Sequence, residues 1–382
     1  MAAFVDEVYL RDALAGRRVL VTGHTGFKGG WLCLWLRRLG ATVVGVALPP
    51  QERSFCTAVG LEALIDSRNG DIRNETGFQK LVEGQDYDLV IHMAAQAFVR
   101  ASYEDPIGTY MTNVIGTAVV LEAARRMPSL RGIIVVTSDK CYQNREWVWG
   151  YRELDPMGGR DPYSSSKGCA ELVAAAYRSS FFNNRDGPQL ATVRAGNVIG
   201  GGDWGVDRLI PDLVRASETG SPARIRNPRN VRPWQHVLEP VRGYLMLAAR
   251  LIDTGSAFAG GWNFGCDRDA AVDVITLADL VVEKWNGGAP RYMVEKRANE
   301  PPESAVLRLD STKSYVELGW KPLLSIGEAV SMTVEWHLRY QQNPSSIRQF
   351  SQQQIAEYAA AWSVSREKAS ETEPSIGVPA CV

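Results

Sequence analysis

Two short stretches of the chain hold residues that move protons. In VVTSDKC (135–141) an apolar run stops at Thr137, and Ser138, Asp139 and Lys140 follow. A hydroxyl, a carboxylate and an ammonium therefore stand just past the end of a buried strand. They read either as an ion pair closing the strand or as an acid and a base serving one substrate. Adjacent strand residues point to opposite faces, so the second reading requires the chain to turn after Ser138. In YSSSKGC (163–169) Tyr163 and Lys167 stand four residues apart in a segment of helical periodicity, hence on one helix face. A free phenol titrates near pKa ~10, and lowering it by about three units takes roughly 4 kcal/mol, which a neighbouring cation can supply. Tyr163 then reads as the proton acceptor for a hydroxyl being oxidised, with Lys167 tuning it and reaching a nicotinamide ribose.

Such oxidation needs a hydride acceptor. VLVTGHTGFKGGW (19–31) places Gly23, Gly26 and Gly29 between an apolar strand and a helix. Glycines permit a tight turn and close backbone approach, and the helix start offers free N–H groups to a pyrophosphate. His24, Thr25, Phe27 and Lys28 fill the loop, with His24 packing near the cofactor phosphates. NAD sites often carry an acid about 20 residues past the glycines. Here the second strand ends in Ala47-Leu48-Pro49-Pro50, with Glu52 and Arg53 beyond, so NAD is the expected cofactor and NADP stays open. Asp71, in GDIRN, is placed near the adenine.

The elements that must position these groups alternate. RRVLVTG (17–23), TVVGVA (42–47), DLVIHMA (88–94), GIIVVTS (132–138) and LATVRAGNVIG (190–200) read as strands. Helical patterns cover 29–40, 113–126 and 163–182, and Trp31 and Trp35, one turn apart, are expected in the core. The strands are apolar throughout, which predicts an α/β fold with a doubly wound parallel sheet covered on both faces. Residues 1–200 form the expected dinucleotide-binding domain. Residues 201–362, rich in loops such as GGGDWGVDR and RIRNPRNVRPW, form a smaller C-terminal substrate-binding lobe partly interleaved with it. The polar segment 363–382 is expected to be disordered.

The 382 residues allow a full core, and a net charge of −1 argues against nucleic acid as a partner. Six scattered cysteines without a CxxC, and only four histidines, predict no metal site and a reducing compartment. The N-terminal MAAFVDEVYLRDALAG lacks a basic start, and no window is apolar enough to span a membrane, so the expected location is the cytoplasm.

TGHTGFKGGW, HMAAQAFVRASYEDP (92–106), VTSDKCYQN, RAGNVIGGGDW (194–204) and RPWQHVLEPVRGY (232–244), with the YxxxK, carry a resemblance. Over roughly residues 15–340 the chain resembles the nucleotide-sugar 4,6-dehydratases of the extended short-chain dehydrogenase/reductase superfamily, nearest their CDP-glucose branch, which carries Asp-Lys where dTDP-glucose dehydratases carry Asp-Glu. The resemblance implies NAD, CDP-D-glucose as substrate and CDP-4-dehydro-6-deoxy-D-glucose as product. It implies that Tyr163 takes the 4-OH proton, that Ser138 binds the sugar oxygen, that Asp139 protonates the departing 6-OH and that Lys140 is the C5 base. It adds Ile72, Ala94, Ala95 and Gln96 to the cofactor contacts and gives Asn197, Arg208 and Arg232 to the diphosphate; Arg226 and Arg229 fit less well, and His236 reads as structural. A homodimer through the helices at 105–126 and 163–182 is implied as well. In 298–310, where the family pattern has a histidine, Pro302 and Ala305 stand. The alternatives are a nucleotide-sugar 4-epimerase, which shares the glycine loop and YxxxK, and a catalytically silent dinucleotide sensor.

Overall fold

The computed structural model describes residues 5–266, 271–285, 287–295 and 307–372, with backbone alone for 366–372. Among the described residues there are twelve strands. They are β1 (Arg18–Thr22), β2 (Thr42–Ala47), β3 (Asp66–Asn69), β4 (Leu89–His92), β5 (Gly132–Val136), β6 (Gln189–Ala195), β7 (Asn197–Ile199), β8 (Ala223–Ile225), β9 (Val231–His236), β10 (Gly260–Phe264), β11 (Ala271–Asp273) and β12 (Tyr292–Val294). Seven form one parallel sheet in the order β10-β6-β5-β4-β1-β2-β3. Alternate residues feed two cores, as the two-residue strand period requires. Val19, Val21, Ile91, Ile134 and Val193 pack on one side with Trp31, Trp35 and the helix Leu238–Asp253. Leu20, Val90, Ile133, Val135 and Leu190 pack on the other with Phe78, Val120 and Ala174. Both faces are covered, as the uniformly apolar strands predict.

Register brings the chemistry to one edge. Thr22 pairs with His92, His92 with Val135, and Val136 with Val193. The residues after β1, β4 and β5, which are the glycine loop, 93–96 and 137–141, therefore emerge side by side at the carboxyl ends of the strands. β1 is the switch point of the strand order, where such sheets open a crevice for ligands.

Three expectations are revised. LATVRAGNVIG is two strands, broken at Gly196: β6 stays in the large sheet and β7 joins β9 and β11 in a small one. A Cβ at Gly196 would lie 3.0 Å from Pro233 Cγ and 3.6 Å from Asp139 Oδ2, so the break lets the small sheet close onto the turn after β5. The helix expected from residue 113 opens with a wide π turn, Met111–Ile115, before the regular Gly116–Ala124. The large sheet also takes β10 from beyond residue 200, and the helix Leu238–Asp253 packs on it. The smaller unit packs its own core from Ile210, Leu213, Trp234, Leu277, Val281 and Val330. Finally, the helix Ile347–Thr372 runs into the segment expected to be irregular. Ile355, Tyr358, Ala359 and Trp362 form a buried helical stripe, and Pro374 is the next residue unable to continue a helix. Residues 373–382 lie outside the described ones, as do 298–306 with Pro302 and Ala305. Among the described residues no helix is long and apolar enough to cross a membrane, and Cys33, Cys56, Cys141 and Cys169 are free thiols.

Candidate active site

Gly23 has φ +76°, a conformation costly for a residue with a Cβ. A Cβ there would sit 2.6 Å from the Ala94 nitrogen, and one at Gly29 would sit 2.2 Å from the Gly23 carbonyl oxygen. The helix Phe27–Arg38 begins at Gly26 without a side-chain cap, which leaves its first N–H groups for a ligand. Thr25 Oγ1 donates to Leu48 O (3.0 Å) and ties the loop to the end of β2. Thr22 Oγ1 accepts from the N–H groups of Met93 (3.1 Å) and Ala94 (3.2 Å), joining the loops after β1 and β4. His24 is buried, its Nε2 2.8 Å from Ser67 Oγ, and burial pushes its pKa down to about 4, so the ring is neutral. His236 is also buried and lowered, to about 3, by the same cause.

Gln96 and its neighbours Ala94 and Ala95 form the next wall. The Gln96 N–H donates to Asn113 Oδ1 (2.8 Å), and Asn113 Nδ2 donates to Ser166 Oγ (2.8 Å), beside Lys167. Asn113 carries no local signature and escapes sequence reasoning. Ile72 turns its side chain into the core, leaving only backbone toward the strand ends, while Asp71 is bonded by Arg73, which holds its carboxyl below the ordinary range.

The chain does turn after Ser138. Asp139–Cys141 is a 3₁₀ turn, capped by the Ser138 hydroxyl, which accepts from the Lys140 N–H (3.2 Å) and lies 3.0 Å from Asp139 Oδ1. Ser138 and Asp139 are buried; Lys140 is partly exposed. Across from the turn, Asp161 caps the helix Pro162–Ser180 through Ser164 N–H, and Pro162 occupies its first turn, so Tyr163 stands at the helix start. Burial pushes the Tyr163 phenol up to about 12; Ser138 hydrogen bonding and Arg208 pull down, and Asp139 and Asp161 push up. The lowering by Lys167 that the spacing suggested is not seen, and burial dominates the phenol. Lys167 Nζ lies 3.4 Å from Val136 O, and burial, then Lys28, brings its pKa down to about 8. Lys28 is lowered to about 8 as well, by burial and then Arg208, while Asp139 and Asp203 oppose.

Arg208 sits over the Phe98 ring (4.6 Å to its centroid) and donates to both oxygens of buried Asp203, at 3.2 and 3.0 Å. Asp203 was missed because its role depends on this pairing across a loop. Asn197 and Arg232 share the small sheet, Asn197 standing opposite Trp234 on β9. Arg226 is held by Asp207 (2.8 Å), and Arg229 is exposed. A cleft of about 400 Å³ lined by Asp207, Asp212, Arg215, Arg224, Arg226 and Glu295 among others holds none of the candidate catalytic or cofactor residues.

A dinucleotide cradle, a tyrosine–lysine pair and an acid–base turn thus meet at one edge. The sequence model of the family described as GDP-mannose 4,6 dehydratase matches residues 20–333. The CDP-glucose 4,6-dehydratase of Salmonella typhimurium is 48% identical over 351 residues, covering 91% of this chain and 97% of that one. The chain belongs to the nucleotide-sugar 4,6-dehydratase family. A dTDP-glucose 4,6-dehydratase of Xanthomonas campestris is 25% identical, over 84% of this dehydratase and 93% of that protein. Among solved structures, a UDP-glucose 4-epimerase of Thermotoga maritima superposes with a TM-score of 0.71 at 23% identity, covering 85% of the dehydratase and 100% of that chain; this likeness shows the fold.

A Gly29→Ala variant of the dehydratase is expected to bind its dinucleotide about 10- to 100-fold more weakly, since overpacking costs ~1–3 kcal/mol and each ~1.4 is tenfold. Calorimetric titration of the folded variant checks this.

Proposed function

We propose that this dehydratase converts CDP-D-glucose to CDP-4-dehydro-6-deoxy-D-glucose, using NAD held at the glycine loop. The observation that carries the cytidine assignment is the gap between 48% identity to the CDP-glucose enzyme and 25% to the dTDP-glucose one. Lys140 after Asp139 fits the same branch. NAD rather than NADP is supported at Arg53, the cation beyond β2, whose guanidinium is held by Glu218 at 2.7 and 3.0 Å. The residues fit such a cofactor: Gly23, Gly26 and Gly29 leave room a Cβ would fill, and the uncapped helix start faces it. Bound there, NAD supplies the hydride acceptor for sugar C4 and the donor for C6.

The chain's own groups do the rest. Tyr163 takes the 4-OH proton while Ser138 holds that oxygen, and Lys167 orients the ribose and stabilises the phenolate. The 4-ketone acidifies C5–H. Lys140, as the free amine, removes that proton while Asp139, as the carboxylic acid, gives its proton to the departing 6-OH. A proton exchangeable with solvent returns to C5 as C6 regains hydride. Arg208, steadied by Asp203, and Arg232 would meet the diphosphate, with Asn197 beside them on the small sheet. The smaller unit is thereby the substrate lobe. Exposed Ile107, Met111, Ile115 and Leu172, on the helices of the implied homodimer, support pairing with a second copy.

The test is incubation with CDP-, dTDP-, GDP- and UDP-hexoses in deuterated water. A 4-keto-6-deoxy sugar carrying deuterium at C5, formed fastest from CDP-glucose, is the expected product. Inversion at C4 without loss of water would instead make the protein an epimerase.

A further inference from the structure

One buried ion pair grips the acid–base turn from both sides. Glu171 lies one helical turn beyond Lys167, extending the Tyr163–Lys167 face, and Arg194 lies on β6. Their side chains are only 5% and 4% exposed. The guanidinium donates twice to the carboxylate, Nε to Oε1 and Nη2 to Oε2, each at 2.8 Å. Burial pushes the Glu171 carboxyl up, but the Arg194 charge and the hydrogen bonds outweigh it, so it stays below the ordinary range and charged.

The pair's remaining valences go to the turn. Thr137, immediately before Ser138, donates its hydroxyl to Glu171 Oε1. Tyr142, immediately after the turn Asp139–Cys141, accepts from Arg194 Nη1 and donates to Asn263 Oδ1 (2.8 Å). Arg194 Nη1 also reaches Glu153 O (3.0 Å), and Thr192 Oγ1 donates to Glu171 Oε2 (2.7 Å), which completes the carboxylate. Two glycines make room for this. A Cβ at Gly261 would lie 2.5 Å from Arg194 Nη2, and one at Gly168 would lie 3.1 Å from Cys141 O. A pair that served only to join helix to sheet would not need partners at both ends of one four-residue loop.

We propose that Glu171 and Arg194, acting through Thr137 and Tyr142, are positioning residues that hold Ser138, Asp139 and Lys140 at the sugar, and that the elimination half of the reaction depends on this clamp more than the oxidation half. The inference rests on the dehydratase mechanism proposed above. Tyr163 and Lys167 sit on the helix itself and keep their places when the ties to the turn are cut, whereas Asp139 and Lys140 are held in place through those ties. Misplacement of a catalytic group by about 1 Å can cost on the order of 100-fold.

Removing Glu171 or Arg194 would strand a buried charge and risk the fold, so the test cuts the ties instead. Thr137→Val and Tyr142→Phe keep shape, and the Tyr142 ring keeps its stack on Tyr151. Thr137→Ser restores the donor. Single-turnover absorbance of reduced nicotinamide reads C4 oxidation, and deuterium entry at C5 together with product formation reads elimination. In Thr137→Val/Tyr142→Phe, elimination is expected to fall by about 10- to 100-fold, with oxidation within about threefold of wild type and reduced cofactor accumulating. Thr137→Ser is expected to recover most of the elimination rate relative to Thr137→Val. Equal loss of both halves, or no loss in either, overturns the clamp. Wild type that makes no 4-keto-6-deoxy product fails the mechanism instead, a different result from a failed clamp.

Discussion

Tyr163→Phe is expected to lower kcat by on the order of 10³-fold, the middle of the range for a lost general acid or base. Both reduced-nicotinamide formation and C5 deuteration should vanish together, because the 4-ketone precedes any acidity at C5. The ring remains in its buried place and only the hydroxyl is lost, a change worth about 1 kcal/mol in stability, so the variant folds. The pH dependence has a definite sign. The phenol stands at about 12 and Lys167 at about 8. Raising pH favours loss of the phenolic proton, but as pH rises through about 8 Lys167 gives up the positive charge that stabilises a phenolate. Wild-type C4 oxidation is therefore expected to climb from neutral pH and to level off or fall above about 8. Tyr163→Phe should show no such limb. A residual oxidation rate in Tyr163→Phe that kept the wild-type pH profile would mean that another group takes the proton.

The parts of the fold that were legible share one property: their signal is local. RVLVT, TVVGVA, LVIH and GIIVV are uniformly apolar because helices cover both faces of their sheet, and they form strands where the pattern puts them. β3, DSRN, lies at the sheet edge with no fully buried residue, so burial never wrote an apolar pattern into it. β10 begins with two glycines and enters the opposite edge from a distant part of the chain, a placement no local window carries. The split of β6 from β7 turns on one residue, Gly196, whose missing side chain matters only because Pro233 and Asp139 come close to it.

The site divides in the same way. Tyr163 and Lys167 are readable because a helix fixes their spacing, and Ser138 to Lys140 because an abrupt polar stop follows an apolar run. The turn after Ser138 was a condition in the sequence and is a fact of the fold. Asp203 beneath Arg208, Asn113 beneath Gln96, and the Glu171–Arg194 pair have no such spacing. Their partners are brought by tertiary contact, and each is an ordinary polar residue until then. The phenol's raised pKa was also illegible, since it is set by burial rather than by the neighbouring lysine.

Asp139→Asn is expected to separate the two halves of the reaction that Tyr163→Phe removes together. The carboxamide cannot supply a proton to the departing 6-OH, so water loss should fall by about 10²–10⁴-fold. Hydride transfer from C4 should survive, since Tyr163 and Lys167 are untouched. The reduced cofactor then has no C6 acceptor and accumulates, visible as a stable absorbance where wild type shows a transient. Lys140→Met gives the complementary pattern: oxidation with little deuterium entering C5, against Asp139→Asn, where C5 exchanges but the hydroxyl stays. If Asp139→Asn lost oxidation as well, the Asp139 carboxyl would be acting through Tyr163, and the acid for the 6-OH would have to be sought elsewhere. Lys28, whose charge the same carboxylate favours, would then be the next group to replace.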